Sequence, residues 1–431
     1  MRRTSNYLLR EIAGVPYLIP YGQLIADHKH SMQLNHTSAW LWQQLEEEHT
    51  LEELLTLFAS HYAAAPEELS FLKQDLTQFL HTLQFYGMLD NHIQNFQMMP
   101  EITSEKHPEA LLNSPSVPPD TPCFLLNIGG LHVKLIGPQE MLSDCFNAFQ
   151  GNAETIHQTI TIHTILPSLD AEEDFCHSSA KHAFSNAFSS RHPVGKPLLH
   201  SRDLTLYDMN RCYLLLFPSM DQVREARLSK DASCADIYCS PSWTETLREE
   251  LFHAIRFVFL YLAEQHHMTV LHSASLLYRG KAWLFSGSSG TGKSTHTNLW
   301  HKLLHVPLLN GDLNLLALDH GQPVIHGLPW CGTSEISDCG THTLGGIILL
   351  KQDKEDYMET LSPDARQLLV FQRLISPLWT PEQVDCCLRF AADLTSKIYV
   401  ARLHCTVNDS AMETAKKAID IYLDTPGQSN C

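Results

Sequence analysis

The sequence has too few basic side chains to form a nucleic-acid surface. It holds 30 lysines and arginines against 48 aspartates and glutamates, which gives a formal net charge of −18 at pH 7. Because phosphate backbones select for basic surfaces, this balance excludes nucleic acid as the expected partner.

Long apolar runs are also missing. No stretch of about 18 apolar residues occurs, so the sequence predicts no membrane span and no membrane partner. The opening stretch, MRRTSNYLLREIAGVPY, has neither a long apolar segment nor a small-residue cleavage site, so we expect no signal peptide. These absences predict a cytoplasmic protein.

Cysteine and histidine show no metal-binding spacing. The 12 cysteines are irregularly spaced and form no C-x-x-C pair, which favours reduced, mostly buried thiols. The 26 histidines include three close pairs: His28/His30, His266/His267 and His301/His305. Since no cysteine or carboxylate accompanies these pairs in a known ligand pattern, we expect solvated histidines.

One stretch divides the chain. Residues 93–120 are rich in Pro, Ser and Glu, show no sustained period and are typical of a linker. The linker separates a small unit at 1–92 from an α/β region, which we divide into a first part at 121–249 and a core at 250–425. Whether these two parts form one large unit or two closely packed units stays open. The predicted fold class is mixed α/β.

The small unit begins with a predicted β-hairpin. The stretches YLLREI and VPYLIP flank Ala13-Gly14, a two-residue turn sequence, and a third short strand is expected near Met32–Leu34.

Three helices are predicted after the hairpin. Asn35 or Thr37 caps the first, and Thr50 precedes the second. Pro66 begins the third, which Gly87 terminates.

This order, with the stretches LNHTSAWLW and FYGML, resembles the PqqD family, whose members are also called RiPP recognition elements. The resemblance covers residues 5–92. It implies a winged-helix-like domain that binds the leader segment of a ribosomally made precursor peptide. A generic winged-helix-like domain is the alternative. An exposed sheet edge provides a physical route to peptide binding, because an extended peptide can satisfy its unpaired N–H and C=O groups.

The stretch Phe285–Trp300, FSGSSGTGKSTHTNLW, contains a phosphate-binding pattern. It fits G-x-x-x-x-G-K-[ST] between an apolar strand, KAWLFS, and a predicted helix, STHTNLWHKLLH. Glycines let successive N–H groups point inward, and the helix N-terminus adds partial positive charge. We therefore predict an ATP site formed by Gly287, Ser288, Ser289, Gly290, Thr291, Gly292, Lys293, Ser294 and Thr295.

Three residues are expected to act on the phosphates beside this loop. Lys293 would reach the outer phosphates, and Ser294 would ligate Mg²⁺. Asp312, on the next predicted strand, VPLLNGDLNLLAL, would hold Mg²⁺ or take a proton; a solvated strand-end acid is the alternative.

A histidine is expected to approach the loop from the upstream side. The stretch MTVLHSASLLYRGKAWLF predicts two antiparallel strands joined by a tight turn at Arg279-Gly280, which brings His272 back toward the loop. An inert core histidine is the alternative.

The histidine in LHSAS, the loop GSSGTGKST, the aspartate in NGDLNLL and a later GLPWCGT together resemble the HPr serine kinases and the phosphoenolpyruvate carboxykinases. The resemblance covers 250–420, and 121–249 loosely. It implies an ATP- and Mg²⁺-dependent phosphotransferase with Asp312, His272 and Lys293 as catalytic residues. In HPr kinases two adjacent aspartates occupy the acidic strand, and the first usually has the proton-transfer role. Gly311 stands at that first position here, so either Asp312 has both roles or His272 shares the work.

Several other residues are secondary candidates. Arg373 and Arg402 are candidate phosphate-neutralising residues, and the GLPWCGTSE stretch either borders a substrate or is a structural loop in which Trp330 packs. Ser242 and Glu245 predict a capping box for a long helix.

Together these expectations predict a kinase that phosphorylates a Ser or Thr hydroxyl of a precursor peptide whose leader the N-terminal unit holds. One alternative is a non-catalytic ATP-binding peptide chaperone, which Gly311 favours. Another is a small-molecule P-loop kinase, although those enzymes usually begin with the phosphate loop. The sequence leaves open whether the chain forms a homo-oligomer.

Overall fold

The structure is a computed structural model that describes residues 1–90, 121–164, 197–209, 211–332 and 336–425. The chain forms two compact units, one of Met1–Glu101 with Leu378–Pro381 and the other of Ile102–Pro377 with Glu382–Cys431. The predicted linker at 93–120 lies outside the described residues. Helices and strands both contribute to each unit, so the predicted mixed α/β class is confirmed.

In the ranges that the structure describes, no helix is long and apolar enough to cross a membrane. Burial raises the pKa of the Cys239 and Cys387 thiols to about 12, so both thiols are unreactive at neutral pH. The expectation of mostly buried thiols is wrong for the described residues, because Cys123, Cys145, Cys234 and Cys339 are exposed.

The small unit is a short sheet packed on helices. Its described elements are β1 (Arg2–Arg3), β2 (Tyr7–Ile12), β3 (Val15–Pro20), α1 (Gln23–Ala26), β4 (Met32–Gln33), α2 (His36–Gln44), α3 (Leu51–His61), α4 (Leu69–Phe85) and β5 (Leu89–Asp90). Strands β2, β3 and β4 form an antiparallel sheet in that order, and β1 pairs with β5.

Local signals at the start of this unit act as the sequence predicts. Ala13 and Gly14 have φ of 47° and 82°, the conformation of a two-residue turn whose twist suits a hairpin. The side chain of Asn35 accepts a hydrogen bond from the backbone N–H of Ser38 at 2.7 Å. Asn35, rather than Thr37, therefore caps α2.

The next two helices also begin and end at their predicted signals. Thr50 and Glu53 form a capping box at α3. The third predicted helix starts as a 3₁₀ turn at Pro66–Glu68 and continues as α4. Gly87 follows that helix with a φ of 68°, the left-handed conformation that stops a helix.

The two faces of α4 differ. Leu76 and Leu83 are fully buried in the core of the unit with Trp42. On the solvent side Phe71 is 70% exposed and Phe85 is 83% exposed. Two aromatic side chains on one helix are thus left without cover among the described residues.

The described residues of the large unit form two sheets. Its first part comprises β6 (Cys123–Ile128), β7 (Leu131–Ile136), β8 (Gln158–Thr164), β9 (Leu199–His200), β10 (Thr205–Asp208), β11 (Cys212–Leu216), β12 (Val223–Ser229), β13 (Cys234–Cys239) and α5 (Glu245–Gln265). Its strands form one sheet in the order β6-β7-β8-β13-β12-β11-β10-β9.

The second part follows without a break. It comprises β14 (Thr269–Tyr278), β15 (Lys281–Ser286), α6 (Lys293–Leu304), β16 (Leu308–Asn310), β17 (Leu313–Asp319), β18 (Gln322–His326), β19 (Thr341–Gln352), β20 (Tyr357–Glu359), α7 (Pro363–Phe371), β21 (Leu374–Ile375), α8 (Pro381–Lys397), β22 (Tyr399–Cys405) and α9 (Asp409–Asp424). Its main strand order is β15-β14-β17-β18-β19-β22-β20, and β15 also pairs with β19. Strand β14 therefore lies between β15, which precedes the predicted phosphate loop, and β17, which follows it.

The predicted capping box of the long helix α5 is wrong. Thr244 is the N-cap, and its hydroxyl accepts the backbone N–H of Leu247 at 3.0 Å. The side-chain amide of Gln222 donates to the same hydroxyl at 2.7 Å. This tertiary contact fixes Thr244 at the helix start, so the N-cap lies two residues after Ser242 rather than at it.

Candidate functional site

The predicted phosphate loop joins the end of β15 to the start of α6. Gly290 and Gly292 have φ of 78° and 93°, which residues with a Cβ rarely adopt. A Cβ on Gly287 would come within 2.6 Å of the Thr291 hydroxyl. The N–H and the hydroxyl of Thr291 both donate to the Ser288 carbonyl, at 3.2 and 2.8 Å. The loop is therefore a tight turn that hydrogen bonds within the loop stabilise.

Lys293 is the first residue of α6, where the helix N-terminus meets the loop. Its Nζ atom donates to the carbonyls of Gly287 and Ser288 at 3.3 and 3.4 Å. Burial lowers the pKa of the Lys293 amine, the charge of Asp312 opposes that change, and the charge of Arg373 adds to it. A buried lysine and a helix N-terminus thus converge on the same loop.

Two arginines add positive charge to this region. The guanidinium of Arg373 donates to the Ser288 hydroxyl at 3.1 Å. Arg256, on α5, is close enough to Asp312 for each charge to affect the other, and burial lowers the pKa of both arginines. Lys293, Arg256 and Arg373 thus bring three cationic side chains to the region of the loop and Asp312, an arrangement that suits phosphate groups.

His272 and Asp312 meet beside the loop. The Nε2 atom of His272 lies 3.0 Å from Oδ1 of Asp312, and both side chains are partly exposed. The hydrogen bond from His272 lowers the pKa of Asp312; burial opposes this, and the charges of His272, Lys293 and Arg256 lower the pKa further. Asp312 is therefore a carboxylate at neutral pH.

The predicted strand that carries Asp312 is in fact divided. It forms β16 and β17, and Asp312 lies between them. The side-chain oxygen of Asn310 accepts the N–H groups of Asp312 and Leu313, at 3.1 and 3.3 Å. This side-chain turn replaces strand pairing locally and directs the chain so that Asp312 reaches His272.

A buried polar network supports that turn. The N–H of Asn310 donates to the Ser275 hydroxyl at 2.9 Å, and this hydroxyl donates to the side-chain oxygen of Asn314 at 2.7 Å. All three side chains are at most 1% exposed. Sequence reasoning missed the network, although the alternation of serine with apolar residues in LHSAS was a signal for it.

The GLPWCGT loop lies against Asp312. Gly332 has a φ of 63°, and a Cβ there would lie 3.0 Å from the Cβ of Asp312. The residues that follow, Thr333 and Ser334, lie outside the described residues. Because Gly332 has no Cβ, it leaves room for the side chain of Asp312.

Two of the secondary candidates have other partners. Arg402 pairs with Glu359 at 2.9 Å, on the strand pair β20–β22. The indole N–H of Trp330 donates to the Phe252 carbonyl at 2.8 Å, and its ring packs on Phe252 and Phe259. Trp330 is therefore a packing residue, whereas Arg373 is the arginine that contacts the loop.

The residues beside the loop suit Mg²⁺ that arrives with a nucleotide. Magnesium prefers oxygen ligands and is commonly held by one or two protein oxygens together with phosphates. Ser294 is exposed in the first turn of α6 and offers a hydroxyl, and Asp312 offers a carboxylate. Within the described ranges no group of three or more His, Cys, Asp or Glu side chains could hold a metal ion by itself.

Comparisons with known proteins bear chiefly on the small unit. Residues 24–89 match the family model PqqD, coenzyme PQQ synthesis protein D. No curated protein matches the chain. The solved structure "TbiB1 in Complex with the TbiA(beta) Leader Peptide" is 18% identical, covers 22% of this chain and 100% of its own, and has a TM-score of 0.18. The Hpr(Ser) kinase/phosphatase from Coxiella burnetii is 10% identical, covers 35% of this chain and 98% of its own, and has a TM-score of 0.20. The resemblance to the PqqD family that LNHTSAWLW and FYGML indicate is confirmed for residues 24–89.

Proposed function

We propose that this protein is an ATP-dependent kinase that phosphorylates a Ser or Thr hydroxyl of a ribosomally made precursor peptide, and that its small unit binds the leader of that peptide. The kinase part of this proposal rests on one observation: the phosphate loop, Lys293 and the His272–Asp312 pair lie close together. The PqqD-family segment at 24–89 supports the peptide half.

The small unit has a surface suited to an extended peptide. Strands β2 and β4 form the two edges of its described three-stranded sheet. An edge strand can pair with an extended leader through main-chain hydrogen bonds. The exposed Phe71 and Phe85 of α4 would add apolar contacts for leader side chains.

The loop and its cations would hold the triphosphate. The backbone N–H groups around Gly290 and Gly292 and the N-terminus of α6 would bind phosphate oxygens. Phosphate oxygens would replace the loop carbonyls as acceptors for Lys293, whose amine is already directed into the loop. Arg373 would reach the same phosphates from its place at Ser288.

The hydroxyl of the peptide would attack the γ-phosphorus while the bond from that phosphorus to the bridging oxygen breaks, and ADP would leave. Asp312 would orient the hydroxyl and receive its proton, and His272 would hold the Asp312 carboxylate in place. Mg²⁺, held by Ser294 and Asp312, would supply charge neutralisation at the phosphate oxygens. Since Gly311 supplies no second acid, we assign proton acceptance to Asp312 and orientation to His272.

The test is intact-mass analysis of a peptide encoded beside this gene, incubated with the full-length protein, ATP and Mg²⁺. A gain of one phosphate supports the kinase, and the Lys293→Ala variant must then give no product. Nucleotide binding without product would favour the second candidate, an ATP-binding peptide chaperone, for which the absence of an acid at Gly311 is the specific observation. We place either activity in the cytoplasm, which supplies ATP and keeps thiols reduced.

A further inference from the structure

Apart from the phosphate-loop site, the large unit has a cavity of about 680 Å³, whose lining includes none of residues 287–295. It lies where the end of α5, the start of β14, the end of β17 and the middle of α8 meet. Its volume is in the range of small-molecule sites. The phosphate-loop chemistry proposed above therefore does not account for this cavity.

A buried carboxylate lines the cavity. Glu264 is 6% exposed, and its Oε2 atom accepts a hydrogen bond from the side-chain amide of Gln383 at 3.0 Å. In the parts of the chain that the structure describes, no lysine, arginine or histidine forms an ion pair with it. Burial raises the pKa of Glu264 to about 7, since its amide partners only partly offset the lost hydration. A buried carboxylate of this kind is stabilised by a cation.

Thr269, a buried residue whose hydroxyl has no partner among the described residues, lines the same cavity. Thr269 is 4% exposed. Buried polar atoms normally have partners, so an unpaired one at a cavity wall points to a bound group. The buried Phe390 also lines the cavity and offers an aromatic ring.

The other charged and titratable groups of the lining do not supply a surplus of positive charge. Burial lowers the pKa of His326, whose Nδ1 atom is 2.8 Å from the Thr341 hydroxyl, and the pKa of His266, so both imidazoles are neutral near pH 8. The lining also includes His267, which is exposed to solvent. Toward solvent, Asp319 and Asp393 outnumber Arg389. The cavity therefore disfavours phosphates and carboxylates.

We propose that this cavity binds a small organic cation, a protonated amine with an apolar body. The ammonium group donates hydrogen bonds to the Glu264 carboxylate and to the Thr269 hydroxyl, and the apolar body packs on Phe390. The ammonium charge compensates the buried carboxylate, and the hydroxyl gains the partner it lacks.

The experiment titrates the full-length protein by calorimetry with 2-phenylethylamine, near pH 8 so that Glu264 is ionised. Two probes of the same shape are the controls: neutral 2-phenylethanol and anionic 3-phenylpropionate. We expect saturable binding of the amine, at least about tenfold tighter than binding of the alcohol, because charge-assisted hydrogen bonds are the stronger ones. The anion should not bind.

Variants locate the site. Glu264→Gln keeps the shape and removes the charge, so it should weaken the amine at least about tenfold and leave the alcohol unchanged. Thr269→Val should weaken the amine by a smaller factor, and Glu413→Gln, an exposed change on α9, should have no effect.

Two outcomes would overturn the proposal: equal affinity for the amine and the alcohol, or no saturable binding of either below about 10 mM. This limit allows for the weak affinity of small ligands. An amine affinity that neither Glu264→Gln nor Thr269→Val changes would also overturn the proposal. If Glu264→Gln fails to fold, the wild-type comparison of the three probes and the Thr269→Val variant decide the matter.

Discussion

The Nε2 atom of His272 lies 3.0 Å from Oδ1 of Asp312 and joins β14 to the turn between β16 and β17. A second bond reinforces the first, because the N–H of Ser273 donates to the Asp312 carbonyl at 2.8 Å. The pair is thus fixed by backbone and side chain together, as a group that orients a reactant must be.

Asp312→Asn should lower phosphoryl transfer by about a hundredfold or more, the size of general-base and electrostatic effects. The change keeps the shape and removes the charge. His272→Ala should cost less, because we propose that His272 acts through Asp312. Initial-rate kinetics with the precursor peptide measure both losses, and a larger loss at His272 would reverse the two roles.

The pH profile tests the same pair. The pKa of Asp312 is lowered in the folded protein, so the stability that this group contributes is present above its unfolded pKa of about 4 and is lost as pH falls through the folded value. His272→Ala removes the bond that lowers this pKa. The acid limb of the rate profile should therefore move to higher pH in His272→Ala, and an unchanged limb would show that His272 does not act on Asp312.

Lys293→Ala should abolish phosphoryl transfer and weaken ATP binding, because Lys293 is the buried cation directed into the loop. Lys302→Ala is the matched control, since Lys302 is exposed on the same helix. Fluorescent-nucleotide titration and product analysis measure the two effects. Wild-type activity in Lys293→Ala would refute the loop as the phosphate site.

Gly332→Ala should reduce turnover because the new Cβ would lie 3.0 Å from the Cβ of Asp312. The positive φ of Gly332 adds a strain of about 1–2 kcal/mol in any case. Gly280→Ala separates the two effects, since Gly280 has a φ of 76° and no heavy atom near the added Cβ. By chemical denaturation Gly332→Ala should lose at least as much stability as Gly280→Ala, and equal turnover in the two variants would show that Gly332 does not position Asp312.

The sequence predicted the parts of the site that depend on local chemistry. Gly290, Gly292 and Lys293 follow from a motif in which each residue has its own backbone or charge requirement. Asn310 and Arg256 were missed because their roles depend on contacts between segments far apart in the chain. The helix caps show the same difference between local signals and contacts with distant segments.

The helix start after Thr50 was predicted from its own stretch, whereas the cap at Thr244 depends on the distant Gln222. The division of the strand at Asp312 shows the limit most clearly. The apolar run LLNGDLNLLAL predicts one strand, and the turn at Asn310 forms because Ser275, on β14, binds the Asn310 N–H.

Ser275→Ala should destabilise the protein by about 1–3 kcal/mol, because it leaves the buried N–H of Asn310 and the side-chain oxygen of Asn314 without this partner. Turnover should fall as well, since Asn310 shapes the turn that carries Asp312. Urea unfolding and peptide kinetics measure the two effects. Thr343→Val, at an exposed position on β19, is the control and should change neither quantity. A loss of stability with full turnover would confine the network to a structural role.

Removal of the leader from the peptide should separate capture from chemistry. If the PqqD-family segment binds the leader, as proposed, the tethered acceptor would reach an effective concentration of about millimolar at the catalytic site. With the intact protein, a leaderless peptide should therefore react slowly at micromolar concentration, and much of the rate should return at millimolar concentration.

Ser replacements of Phe71 and Phe85, both exposed on α4, should raise the KM for the full peptide while kcat at saturation and the rate with leaderless peptide stay unchanged. Replacement of the exposed Lys73 by Ala on the same helix is the control. If leaderless and full-length peptides react equally well at micromolar concentration, the small unit does not capture the substrate, and the acceptor must be sought among free proteins or small molecules.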